Sequence, residues 1–325
     1  MKIRARRLIA ILFLVALPTA HAHADPEQWA REGWKTDFSR MSVESSEILS
    51  GGPPRDGIPS IDRPEFRPAS AISGLGGQEP VIQLTVEGTV RAYPLRILTW
   101  HEIVNDEFGA TPVAVTYCPL CNASIVFDRR VSGKTLEFGT TGKLRNSDLV
   151  MYDRQTESWW QQFTGTAIAG ELTGEKLKLI PSRIVSFSTY AKEHPQGAVL
   201  VPTDPSFRDY GRNPYAGYDS ASAPFLYSGD MPENIAPMAR VVVIRTADKP
   251  IVVSLEKVRR EGFRSEGYTV TYEKGVASAL DTARIASGRD VGTVRVMLDG
   301  EDVAHDVTFA FVAHAFHPDT PIISD

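Results

Sequence analysis

Two cysteines, Cys118 and Cys121, are the only ones in a chain of 325 residues, and they lie three positions apart in Thr116-Tyr117-Cys118-Pro119-Leu120-Cys121. A C-x-x-C pair offers three chemistries. It can cycle between dithiol and disulfide, because the sulfurs are close and a neighbour can stabilise one thiolate. It can hold a soft metal, Cu(I) or Zn, through paired thiolates. It can also stand as an inert disulfide, although so short a loop removes little freedom from the unfolded chain. Covalent c-type haem needs a histidine directly after the second cysteine, and Asn122 is there instead. A closed four-cysteine zinc site needs a second pair, which the chain lacks. A thioredoxin site would start a helix. Here Asn122 to Phe127 reads as strand, which argues against that fold.

Further candidates surround the pair. His101 lies on an expected short helix just before the strand that leads to the cysteines. It can act as a base or metal ligand beside the thiols, or be a satisfied core histidine. The catalytic set read from the chain is therefore Cys118 as the reactive sulfur, Cys121 as the resolving one, and His101. The metal-binding set is the same three residues. Lys143 and Arg145 could take an anionic substrate group or lower a thiol pKa. Asp148, Tyr152, Asp153 and Trp160 fall in a stretch dense in polar and aromatic residues, which suits either a pocket wall or an amphipathic strand pair. Tyr210, with Arg208, Asp209, Tyr215 and Tyr218, crowds a long loop of the kind that forms binding walls or packs on itself. His314 and His317 share a helical spacing but have no nearby Glu or Cys to complete a metal set. A nucleophile elbow, a phosphate-binding loop, a dinucleotide fingerprint and a zinc-protease motif are all missing.

These residues need elements to position them. Residues 1–24 have a basic start (Lys2, Arg4, Arg6, Arg7), an apolar run from Leu8 to Leu17, and Ala22-His23-Ala24 before Asp25. That is a secretory signal peptide, with an apolar run too short to span a bilayer. Its removal takes the formal net charge from −5 to −9. The expected location is the periplasm or outside the cell. An acidic surface argues against nucleic acid as a partner, and no later stretch is apolar enough to span a membrane. Residues 25–78, broken by Gly and Pro, read as an N-terminal arm on a single β-rich body, 79–325. In the body, 81–86 and 89–93 read as a hairpin about Glu87-Gly88. Residues 94–104 read as a short helix, 111–117 as a strand, 187–194 as a helix, and 203–234 as an irregular loop. Leu84 and Leu95 recur 160 positions later as Ile244 and Leu255 in a similar pattern. The expected fold is thus α+β and β-rich, with two duplicated halves, 79–200 and 238–325, and short helices.

Several runs together resemble the DUF3179 family of unknown function. They are Ala92-Tyr93-Pro94-Leu95, His101-Glu102-Ile103-Val104-Asn105-Asp106, the Tyr-Cys-Pro-Leu-Cys loop, Gly142-Lys143-Leu144, Asn146 to Trp160, Asp209-Tyr210-Gly211 with Asn213-Pro214-Tyr215, and Ala315 to Thr320. The resemblance spans roughly residues 80 to 320 and carries no established activity. It implies that His101, Asn105, both cysteines, Asp148, Tyr152, Asp153 and His317 belong to the family pattern. Thiol/disulfide redox, with a small molecule or a protein thiol as partner, is the leading expectation. A Cu- or Zn-binding protein using Cys118, Cys121 and His101 is the second. A non-catalytic ligand-binding module with a structural disulfide is the third.

Overall fold

Short runs rich in β-branched residues, such as Pro80–Val86, Arg240–Ile244 and Ile251–Ser254, build most of the body. The structure is a computed structural model and describes residues 25–324; the segment 1–24, expected to be a signal peptide, lies outside the described residues. Five small sheets are arranged as the blades of a five-bladed β-propeller. One sheet holds Pro80–Val86, Thr89–Pro94, Ser182–Ser186, Ala198–Val201 and Glu65–Pro68. A second, the thiol sheet, runs Lys178–Ile180, Ala123–Asp128, Thr111–Cys118, Ile103–Phe108. A third runs Ile48–Ser50, Phe138–Arg145, Asp148–Asp153, Trp159–Gln161, Thr166–Ala169. The fourth holds Arg240–Ile244, Ile251–Ser254, His305–Phe309 and Ile322–Ile323. The fifth runs Phe263–Ser265, Tyr268–Glu273, Thr293–Leu298, Glu301–Asp302.

This corrects the expectation of an α+β body in two duplicated halves, 79–200 and 238–325. Strand takes 39% of the chain and helix 15%. The α-helices have six or seven residues each, too short to form a layer of their own. The matching stretches around Leu84 and Ile244 do fall in two sheets that share a hairpin-then-helix connection. That likeness cannot divide the molecule, because five sheets do not make two halves.

The hairpin at Glu87-Gly88 is present, with φ of 49° and 77°, the left-handed values a two-residue turn between twisted strands requires. The helix after Pro94 is shorter than expected, Leu95–His101. It stops because Glu102 turns to φ 58°, and the β-branched Ile103 and Val104 then pair with Thr116 and Val115. Ile103 and Val104, read as the end of the helix, are therefore in a strand with Asn105 and Asp106. Asn105 cross-links the body there: its amide donates to Asp62 at 2.7 Å and to the Phe138 carbonyl at 2.8 Å.

The segment 25–78 is woven into the body. Ile48–Ser50 pairs with Lys143–Arg145, and Glu65–Pro68 pairs with Ala198–Val201. Trp29, Trp34 and Phe38 gather around Trp159 with ring centroids 4.8–5.1 Å apart. A bulge between Thr140 and Lys143 lets the arm approach closely. Gly142, at φ 71°, gives its carbonyl to Gly51 N–H at 2.8 Å, and a Cβ placed on it would lie 1.9 Å from the Pro53 carbonyl oxygen.

Gly142→Ala should therefore lift the arm. The expected cost is about 2 kcal/mol or more, from the backbone conformation and the clash together. Thermal melting should fall and trypsin should cut within 25–63 sooner. Gly133→Ala, also at positive φ but with nothing near its Cβ, should cost less and leave the arm protected. Equal behaviour of the two variants would refute this account of the bulge.

Candidate functional site

The strand Thr111–Cys118 delivers Cys118 at its last residue, and Ala123–Asp128 returns beside it with Cys118 paired to Ala123. Pro119, Leu120, Cys121 and Asn122 make the loop between them. Asn122 closes it at φ 51°, a value asparagine tolerates better than most residues, with its N–H on the Pro119 carbonyl. The loop is pinned from another sheet. Thr308 donates its hydroxyl to the Cys121 carbonyl at 2.7 Å, and Asn122 donates its amide to the Val307 carbonyl at 2.9 Å.

A second turn brings the third group. Asn146 and Ser147, at φ 53° and 62°, form the two-residue turn between Phe138–Arg145 and Asp148–Asp153. The Ser147 carbonyl accepts from Cys121 at 3.6 Å and lies 3.9 Å from Cys118 Sγ. Asp148 follows, with its carboxylate and the two sulfurs all within 4.8 Å of one another and all buried. Both cysteines are free thiols. Asp148 Oδ2 accepts from Gln161 Nε2 at 2.6 Å and from Phe163 N–H at 2.8 Å; its Oδ1 has no partner among the described residues.

The electrostatics are one-sided. Burial pushes both thiols up, and the Asp148 carboxylate pushes them further. Burial lifts Asp148 itself to about 6, against the downward pull of its donors Gln161 and Phe163 and of the two thiols that face it. Glu102 is lifted to about 8, by burial first and then by the charge of Asp148. Four groups that can carry negative charge thus share a dry region, and the described residues place no Lys or Arg among them. Beside them lies a cavity of about 420 Å³ lined by Glu102, Leu120, Lys143, Leu149, Tyr215 and Tyr218, among others.

The residues expected at the site divide. Cys118, Cys121 and Asp148 come together, and Lys143 lines the cavity. His101 does not join the thiols. Its Nδ1 is 2.8 Å from the Pro59 carbonyl and its Nε2 is 2.7 Å from the Tyr210 hydroxyl, so both ring nitrogens are engaged elsewhere. Tyr210 is accordingly that histidine's partner. Lys143 pairs with Glu32 at 2.7 Å and Arg145 with Glu47 at 2.7 Å, so neither cation is free to stabilise a thiolate. Tyr152 gives its hydroxyl to Asp56 at 2.5 Å. Asp153 accepts from Thr156 and from Trp160 Nε1 at 2.9 Å, which ties both into the core. Glu102 and Leu120 were not singled out as site residues. Glu102 was hidden by its place at the end of an expected helix.

The family described as protein of unknown function (DUF3179) matches residues 55–320. The chain belongs to this family. No curated protein and no solved structure matches it. In this DUF3179 protein the thiol–carboxylate cluster is the one group of three or more potential metal ligands among the described residues. No helix among them is long and apolar enough to cross a membrane.

His317 lies apart from this cluster, just after the helix Ala310–Phe316, with its Nε2 lacking a partner. Burial, then the charges of Arg245 and Lys176, lowers its pKa to about 4. Between pH 6.5 and about 4 the unfolded chain takes up a proton that the folded one refuses, so stability should fall as pH falls through that window. His317→Asn should flatten this part of the profile of melting temperature against pH. An unchanged slope would show that His317 titrates normally.

Proposed function

We propose that this exported DUF3179 protein binds a borderline-soft divalent ion of the zinc class through Cys118, Cys121 and Asp148. One observation carries the reading. Two thiols and a carboxylate converge within 4.8 Å in a buried region where Asp148 Oδ1 has no partner. An unpaired carboxylate and deprotonated thiols are costly to bury without a cation. Zinc bonds to sulfur and oxygen are about 2.0–2.3 Å long, so ligand atoms on one tetrahedral ion lie roughly 3.3–3.8 Å apart. Small side-chain rotations would close this set on one ion. The carboxylate decides between the metals first considered. Two thiolates alone suit Cu(I), whereas a mixed sulfur and oxygen set suits zinc. An ion there would hold the thiols deprotonated. The segment 1–24 supports export to the periplasm or beyond.

Thiol/disulfide exchange is the second reading, favoured by two free sulfurs close enough to pair. Burial and the carboxyls act against it, because they disfavour the attacking thiolate.

Elemental analysis with a thiol count on the mature protein separates the readings. One zinc per chain is expected, with loss in Cys118→Ser/Cys121→Ser, affinity at least about tenfold weaker in Asp148→Asn, and no change in His101→Ala. Copper that survives Asp148→Asn would place the ion on the thiols alone. Metal-free protein whose thiols join in a readily reduced disulfide would replace the metal reading with the redox one.

A further inference from the structure

The cavity of about 420 Å³ beside the cysteine loop is at the small end of small-molecule sites, which run from about 300 to 1,000 Å³. Its walls are largely apolar and aromatic: Leu120, Leu144, Leu149, Tyr215, Tyr218 and Phe225. Two charged residues line it. Lys143 is held by Glu32 at 2.7 Å. Glu102 is only 7% exposed, yet its carboxyl makes no hydrogen bond or ion pair among the described residues. The backbone at Glu102 is also unusual, with φ 58° and ψ −32°. A glycine would take that conformation at less cost and would bury no carboxyl. The acid therefore sits where the fold alone would not place one, facing a cavity that leaves it unpaired.

We propose that this cavity binds a small molecule with a protonated amine on a compact apolar body. The ammonium group donates to Glu102, and the body packs between Leu120 and the rings of Tyr215 and Tyr218. The tyrosine faces add attraction for a cation. An anionic ligand would meet Glu102 and Asp148 with its charge uncompensated, because Lys143 is already paired. A neutral ligand would fill the apolar walls and still leave the Glu102 carboxyl without a charged donor. The inference concerns the same site as the metal reading and names a ligand class for it, but the contacts it invokes do not include the ion.

The test is binding of three isosteric probes to the mature protein at about pH 8.5, above the value of about 8 to which burial lifts Glu102 and where the amine is still protonated, by calorimetry: 2-phenylethylamine, 2-phenylethanol and phenylacetate. Each is measured on protein as isolated and after chelation. The amine should bind at least about tenfold more tightly than the alcohol, the size expected for one charge-assisted hydrogen bond, and phenylacetate most weakly. Glu102→Gln keeps the side-chain shape and should abolish the difference between amine and alcohol. A preference that survives chelation shows that it does not come from the ion, whatever the metal analysis finds. Equal binding of amine and alcohol, preference for phenylacetate, a Glu102→Gln variant that still prefers the amine, or binding of none of the three would each overturn the proposal.

Discussion

A carboxylate buried without a cation is the constraint around which this molecule is arranged. Asp148 is fully enclosed, and only one of its oxygens is satisfied. Glu102 and two thiols share the same dry region. Removing a charge from water costs several kcal/mol even after the surroundings relax. The cluster therefore stays neutral through bound protons or takes up positive charge from outside. The raised pKa values of Asp148 and Glu102 describe the first state. The basic residues expected to help, Lys143 and Arg145, are neutralised by Glu32 and Glu47 of the arm.

The construction separates a rigid floor from variable walls. Cysteines and aspartate sit at strand ends and tight turns, each fixed by backbone hydrogen bonds, in a core that also holds Trp160, Met151 and Phe309. Such placement holds ligand atoms to the small tolerances that coordination needs. The walls come from irregular chain, Gly51, Pro53 and Ile58 on one side and residues 214–218 with Phe225 on the other. Loops on a fixed frame are where recognition can vary at least cost to the fold.

Much of the local structure could be read in the chain. The hairpin at Glu87-Gly88, the strand into Cys118, the helix after Ser186 and the irregular stretch after residue 203 follow from alternation, turn residues and capping. Cys118, Cys121 and Asp148 could be picked out by residue type. The errors have a common cause, long-range pairing. Lys143 and Arg145 look available until Glu32 and Glu47, about a hundred residues earlier, are brought against them. The number of sheets depends on pairings such as Ile48–Ser50 with Lys143–Arg145, which no local pattern announces. Glu102 was passed over because the helix was carried three residues too far, to Val104 instead of His101. A single backbone reversal at Glu102 sends the histidine to Tyr210 and leaves the glutamate at the cavity.

The pinning of the cysteine loop by Val307 and Thr308 has a consequence for when the cluster comes into being. Cys121 and Thr308 are 187 residues apart, and one wall of the cavity comes from chain before residue 60. Contacts so distant in sequence form late, since loop closure must precede them. A nascent or partly threaded chain therefore holds two flexible thiols and no enclosed cluster. Whatever occupies the finished centre is therefore captured only once the distant strands have met, so the wiring of the fold sets the moment at which an occupant is chosen.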